Sequence, residues 1–427
     1  MIEPRQPLTI CDLTQSYSAT GAGGVTTYLR RKKRYVLDNT PHTLLQIVPG
    51  PRDAVFEEAD GRYRRIEIGS DLVHGSPNYR FILRTGAVRQ VLEEYHPCII
   101  ESLCPWLLPW TAIRFRRTFP GTTLVAGYHT DFPNAQVHRV ALDRWGPRRA
   151  WFFKMLALGY AEITYREFDK VYALGQNGKA LLERRKIKDV ALLDLGVDGD
   201  QFHPAKADRA VRAQLGHDGD GPLLVYAGRL DAERRPETLL RMMHHLPREL
   251  GARLVFMGEG RGNDRMRALA AEQNVHFTGF VEDREQLAGI LAAADIYVSA
   301  MADETFGMSV LEAQASGLPV VGVAAGAMTE RVEPGTGLLG PVDDAEAMAR
   351  NVLAIWHGDP TAMGARARAL VEQRYSWDRT FDRLFGDVYP AAQTQMRLRT
   401  ARRWRNPLPR LVPRIGDRWG NGNFGLR

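Results

Sequence analysis

Glu304 and Glu312 flank Phe306-Gly307-Met308, in a stretch that reads as a strand (295–299), a loop, a short helix and a second strand (319–323). Gly317 and Pro319 stop that helix, because glycine accepts the left-handed cap and proline cannot continue a helix. The two carboxylates therefore bracket the N-terminal opening of a helix leaving a parallel sheet. Such an opening attracts anions, since its first N–H groups are unpaired and carry the positive end of the helix dipole. Carboxylates beside it would repel a bare phosphate, and serve instead as acceptors for hydroxyl groups. A diphosphate with a sugar on each side satisfies both requirements.

A second constellation runs from Tyr226 to Glu237. A strand ends at Gly228, and Arg229 and Arg234 straddle the loop before the next helix. Guanidinium groups at the carboxyl end of a strand suit phosphate, offering planar forked donors and a fixed charge. The alternative is a solvated charged loop in which Arg229 pairs with Asp231 or Glu233. Earlier in the chain, the turn Gly21-Ala22-Gly23-Gly24 permits close backbone approach to a phosphate where the first helix begins. It is not a dinucleotide fingerprint, because Thr26 stands where the third glycine belongs. His129 ends a strand, where a histidine serves a ligand or merely caps the structure.

The elements that must position these residues alternate strand and helix. Strands at 8–13, 98–101 and 123–129, with a helix over 25–36, make one βα series. Strands at 222–228, 253–258, 275–280 and 295–299, with a helix over 236–245, make another. The pattern predicts an α/β fold of two doubly wound Rossmann-like domains facing across a cleft, with ligands beyond the carboxyl ends of the strands. The expected domains are 1–196, closed by a crossover helix at about 376–390, then 197–375, then a basic tail over 391–427.

Among 427 residues, 44% are hydrophobic and 25% charged, the usage of an ordinary globular protein. No apolar run is long enough to span a membrane, and the N-terminus lacks a signal pattern. Cys11, Cys98 and Cys104 show no metal-ligand spacing and read as buried thiols of a reducing, cytoplasmic protein. The segment 391–427 holds nine arginines and one acid, Asp417, a charge of +8 against the whole chain's +7. The basicity thus belongs to the tail, and no nucleic-acid groove is expected on the body. In the tail, arginines alternate with Trp404, Leu408 and Leu411, and Pro407, Pro409 and Pro413 break any continuous helix. It reads as a solvated extension or as an attachment to anionic lipid.

In this order and spacing the residues resemble the retaining glycosyltransferases of the GT-B fold, in particular the large group four family, with its many α-mannosyl- and α-glucosyltransferases. The resemblance rests on Gly23-Gly24, His129-Thr130-Asp131-Phe132, Gly196-Val197-Asp198, Gly228-Arg229-Leu230, and Glu304 and Glu312 with Phe306-Gly307 between them. It implies that Gly24 approaches the donor's distal phosphate and that Arg229 and Arg234 clamp the diphosphate. It further implies that Glu304 holds the transferred hexose, helped by the backbone at Phe306, Gly307 and Met308. Glu312 would hold the ribose, the backbone at Val281 would border the base, and His129 would sit near the transferred sugar or the acceptor. Arg234-Arg235 departs from the family's usual Lys-Gly, and Gly326-Ala327 from a common Gly-Gly.

The implied function is retaining hexosyl transfer, GDP-mannose favoured and UDP-glucose next, to a lipid or glycan acceptor. No cofactor is expected beyond the nucleotide-sugar co-substrate. With no Asp-x-Asp pair at a strand end and two arginines to carry the charge, no metal is expected either. The implied location is cytoplasmic, with peripheral attachment to the inner face of a membrane through the tail. The competing readings are an NAD(P)-dependent oxidoreductase and a non-catalytic sugar-nucleotide-binding relative.

Overall fold

The computed structural model describes residues 7–18, 23–73, 80–217, 219–260 and 262–405. Gly21 and Ala22 of the glycine turn, and residues 406–427 of the basic tail, lie outside the described residues. The chain forms two compact units: the first runs to Leu193 and resumes at Phe381, and the second is Asp194–Thr380.

The first unit contains the strands β1 (Thr9–Leu13), β2 (Thr43–Gly50), β3 (Ala54–Glu58), β4 (Tyr63–Gly69), β5 (Ile99–Ser102), β6 (Thr123–Tyr128), β7 (Lys170–Ala173) and β8 (Ala191–Leu192). They form one sheet in the order β3-β4-β2-β1-β5-β6-β7-β8. Every pairing is parallel except β3 with β4. Helices cover both faces, so β2 and β6 are buried almost throughout, β2 with the polar Gln46 among its apolar residues. Ile47, Ile100 and Leu124 meet Val88, Ile113 and Phe115 of the covering helices in the core.

The second unit holds β9 (Leu223–Ala227), β10 (Arg253–Met257), β11 (Val275–Gly279), β12 (Ile296–Val298), β13 (Val320–Val323) and β14 (Gly337–Gly340). Its sheet is parallel, in the order β11-β10-β9-β12-β13-β14. Leu224, Phe256, Val298 and Val321 pack against Leu239, Leu240, Met348 and Val352.

Each sheet has a topological switch point. In the first unit the order reverses between β1 and β5, and in the second between β9 and β12. Connections from the two switch strands leave to opposite faces of the sheet, which opens a crevice at their carboxyl ends. The loop after β1 leads to Gly23, the loop after β9 carries Arg229 and Arg234, and the loop after β12 carries Glu304.

Two expectations change. Cys11 and Cys104 are buried, but Cys98 is exposed; it precedes β5, whose four residues Ile99–Ser102 are all buried. The tail is helical at its start, because Tyr389–Arg405 is one helix. There Arg399 Nη2 donates to the Phe168 carbonyl at 3.0 Å, and its Nε lies 3.2 Å from Asp169 Oδ1.

Candidate active site

In the second unit, Gly228 follows β9 and the chain passes Arg229 into a single helical turn, Ala232–Arg234. Arg234 Nη1 donates to Glu304 Oε2 at 2.9 Å. Burial works to lower the Arg234 pKa, but the Glu304 carboxylate outweighs it and holds the guanidinium charged. The buried Arg234 Nε has no partner, leaving a directed donor unused. Glu304 Oε1 accepts from the Thr305 N–H at 3.2 Å.

Arg229 is exposed and pairs with Asp231 and Glu233, the contacts of the solvated-loop alternative. Its backbone is nevertheless fixed to the site, because the Tyr226 hydroxyl donates to the Arg229 carbonyl at 2.9 Å. The Tyr226 phenol is pushed up, first by burial, and feels the charges of Arg234, Glu304, Arg229 and Asp231. One tyrosine at the end of β9 thus marks where both arginines and Glu304 gather.

The loop after β12 opens the helix Met308–Ala315 through Gly307, whose backbone is left-handed at φ 88°. An L residue there strains the backbone, although a Cβ would find space, its nearest neighbour being Val310 at 3.5 Å. Phe306 is buried against the Arg331 guanidinium, 4.1 Å from its ring. Arg331 Nε donates to the Phe306 carbonyl and Nη1 to the Tyr375 hydroxyl, both at 2.9 Å. A buried cation therefore clamps the loop from below. The Tyr297 hydroxyl of β12 donates to Ser309 Oγ at 2.9 Å, tying the first turn of the helix to the sheet.

Glu312, one turn further along, is buried and accepts from Arg284 Nη2 at 2.7 Å. Burial raises its pKa and Arg284 opposes the rise. Arg284 begins the helix Arg284–Ala293, three residues past half-buried Val281. Asp283 caps that helix by accepting from the Glu285 N–H at 2.8 Å.

In the first unit, Gly23 precedes the helix Gly24–Asn39, whose opening no side chain among the described residues caps. Tyr28 of that helix packs edge-on against His129, ring centroids 5.2 Å apart. His129 Nε2 shares a 2.8 Å hydrogen bond with the Tyr172 hydroxyl. Burial pushes its pKa down to about 4, so the ring is neutral at neutral pH. Gly127 is needed here, since a Cβ would lie 2.5 Å from the Tyr172 oxygen.

Behind His129 lies a buried charge cluster. Glu101 Oε1 accepts from Tyr28 at 2.8 Å and from Tyr172, while Oε2 accepts from Lys32 at 2.5 Å and from Tyr389. Lys32 also pairs with Asp12, whose other oxygen accepts from Gln46 at 3.1 Å. Burial favours neutral carboxyls, yet Lys32 and the hydroxyl donors hold Glu101 below its usual range. Burial instead pushes Asp12 up to about 6, against the pull of Lys32.

The structure thus gathers Arg229, Arg234, Glu304, Phe306, Gly307 and Met308 at one switch point, with Glu312 one turn away. It joins Gly23, Gly24 and His129 through Tyr28. The sequence reading missed Tyr226, Tyr297, Arg284 and Arg331. Tyr226 alone carried a local signal, two residues before the strand-ending Gly228. Among the described residues no cluster of three or more His, Cys, Asp or Glu side chains is arranged to hold a metal ion.

Residues 22–201 match Glycosyltransferase Family 4 and residues 208–370 match Glycosyl transferases group 1. The GDP-mannose-dependent α-(1-6)-phosphatidylinositol dimannoside mannosyltransferase of Mycobacterium tuberculosis is 30% identical over 69% of this chain and 74% of that protein. The sulfoquinovosyl transferase of Arabidopsis thaliana is 26% identical over 70% of this chain, which spans only 58% of it. Among solved structures, the sucrose-phosphate synthase of Thermosynechococcus elongatus superposes with TM-score 0.71 at 23% identity, over 93% of this chain and 100% of that one. An Anabaena protein in complex with UDP and glucose superposes with TM-score 0.67 at 17% identity, over 89% and 98% of the two chains. At these identities the superpositions establish the fold, which is GT-B.

Proposed function

The chain belongs to the family 4 glycosyltransferases, and from that membership we propose that it moves a hexose from a nucleoside-diphosphate sugar to a lipid or glycan acceptor, with retention and without a metal ion. The observation that carries the site assignment is Arg234: held against Glu304 at a switch point, it keeps an unused buried donor. GDP-mannose is the favoured donor, in keeping with the mycobacterial relative's name, and UDP-glucose is second.

In this reading Arg229 leaves Asp231 and Glu233 to join Arg234 on the diphosphate. The anomeric C–O bond breaks with its electron pair going to the diphosphate, and both guanidiniums and the helix opening at Gly307 stabilise the charge that grows there. The acceptor hydroxyl bonds to the anomeric carbon from the leaving-group face and passes its proton to the departing phosphate. Glu304 holds the hexose hydroxyls, Glu312 the ribose, and the Val281 backbone borders the base. From the first unit, Gly24 meets the distal phosphate and His129 the sugar or acceptor as a neutral hydrogen-bonding group. Peripheral attachment to anionic lipid through 391–427 belongs to the same proposal. Arg399 is already engaged with Asp169, so that contact falls to the other arginines.

The test is turnover and binding of GDP-mannose, UDP-glucose, UDP-GlcNAc and NADH by the purified chain, with and without EDTA. One nucleotide-sugar should be hydrolysed slowly in excess EDTA, and Arg234→Ala should lower kcat by about 10²–10³. NADH binding without nucleotide-sugar binding would overturn the transferase reading. Activity lost in EDTA and restored by Mg²⁺ would overturn its metal-free part.

A further inference from the structure

Of the fifteen large apolar side chains most exposed among the described residues, seven fall between Val140 and Ile163. Scattered exposed hydrophobics are ordinary; a concentration of this kind is not. The segment directly follows His129-Thr130-Asp131-Phe132. It runs through the turn Pro133–His138 into the helix Arg139–Trp145, bends at Gly146, and continues as the helix Pro147–Tyr165. Its inner face is committed to the first unit: Ala150, Ala157, Leu158, Ala161 and Tyr165 are buried.

Among the described residues its outer face is exposed and largely apolar. On the helix Pro147–Tyr165, Phe152, Leu156 and Ile163 recur at helical spacing with exposures of 54%, 55% and 56%, and Trp151 beside them reaches 63%; Trp145, 45% exposed, ends the preceding helix. Val140 and Leu142 extend the patch onto the preceding helix. Gly159 lies on the same stripe, where an added Cβ would meet nothing within 4 Å.

The charges around this stripe indicate what covers it. Arg144, Arg148 and Arg149 are exposed among the apolar groups, with Lys154 half-buried beside them. The Arg144 guanidinium lies 5.9 Å over the Trp145 ring. From 139 to 163 there are five basic residues and two acids, and one of those, Glu162, pairs with Arg166 at 2.7 Å. Apolar and aromatic side chains ringed by cations are the complement of a bilayer interface: the rings enter the acyl boundary and the cations meet anionic headgroups. Among the described residues no helix is long and apolar enough to cross a membrane, so the helices would lie on the surface.

We propose that the face of the helices Arg139–Trp145 and Pro147–Tyr165 carrying Trp151, Phe152 and Leu156 docks on an anionic lipid surface. This docking does not depend on the transferase reading or on the basic tail. Because the segment begins four residues after His129, it would hold that part of the first unit near lipid.

The experiment is co-sedimentation of the full chain with phosphatidylcholine vesicles, with and without 30% phosphatidylglycerol, alongside quenching of tryptophan fluorescence by brominated lipid. The wild type should bind the anionic vesicles and be quenched. W151S/F152S should lower the vesicle affinity at least tenfold with an unchanged melting temperature and unchanged donor hydrolysis. R148Q/R149Q should weaken binding to the anionic vesicles, and a chain ending at 405 should still bind them and still lose at least tenfold in affinity on W151S/F152S. Absence of wild-type binding would overturn the proposal, as would binding that survives W151S/F152S but is lost on ending the chain at 405. A wild-type dimer that W151S/F152S dissociates, with no vesicle binding, would overturn it in favour of a second copy of this chain. Donor hydrolysis reports on the active-site proposal alone, so the two can fail separately.

Discussion

His129 is neutral because it is buried, and that makes it a pH-sensitive contributor to folding. Its folded pKa of about 4 lies below the ordinary value of 6.5. A depressed histidine contributes stability above its unfolded pKa and loses it as the pH falls through the folded value. Asp12, raised from 3.8 to about 6, acts in the opposite sense: its contribution is present below the unfolded pKa and lost as the pH rises through about 6. His129→Gln removes the first dependence and leaves the second. The stability advantage of the wild type over this variant should shrink by roughly 3 kcal/mol between pH 7 and pH 4, read by urea unfolding. An advantage independent of pH would show that the ring is not held neutral. At this scale the sequence disclosed the residue types that gather beyond the strand ends: Arg229, Arg234, Glu304 and His129, with Glu312 one helical turn further in. It did not disclose their partners. Arg284 and Arg331 sit in unremarkable charged stretches, and only tertiary contact with Glu312 and Phe306 distinguishes them from solvated arginines.

The helix Met308–Ala315 has a hydrophobic sequence and a glycine opening, so its position is set by what holds the loop before it. Arg331 does that through the Phe306 carbonyl, the Phe306 ring and Tyr375. Arg331→Met leaves a buried carbonyl and a hydroxyl without a partner, and should cost about 3 kcal/mol in urea unfolding while raising the donor KM. Arg331→Lys keeps the charge but loses the planar fork, and should recover only part of both. A cost below about 1 kcal/mol would mean that the loop is held by other contacts. Elements built on strong apolar runs, such as β1, β6, β9 and β10, were legible in the sequence within a residue or two. β3 was not, because it is a mostly exposed edge strand with charged residues. β8 was not either, since two residues carry no period. The tail misled because prolines at 407, 409 and 413 drew attention from the alanine- and glutamine-rich run that starts the helix Tyr389–Arg405.

The second unit is a single continuous segment whose ends meet: Thr380 Oγ1 donates to the Asp194 carbonyl at 2.8 Å, and the Val197 N–H to the Tyr375 carbonyl at 2.9 Å. A chain of residues 194–380 should therefore unfold cooperatively on its own and retain nucleotide binding, measured by thermal melting with GDP or UDP. A non-cooperative melt would contradict this. The first unit is discontinuous: Tyr389 reaches Glu101 across 288 positions of sequence. That separation has a consequence during synthesis. A ribosome adding about 5–20 residues per second leaves the nascent cluster of Asp12, Lys32 and Glu101 without its last tyrosine for roughly 15–60 s. The half of the protein made first is thus the half completed last, and in the interval it is the part most exposed to chaperones and proteases.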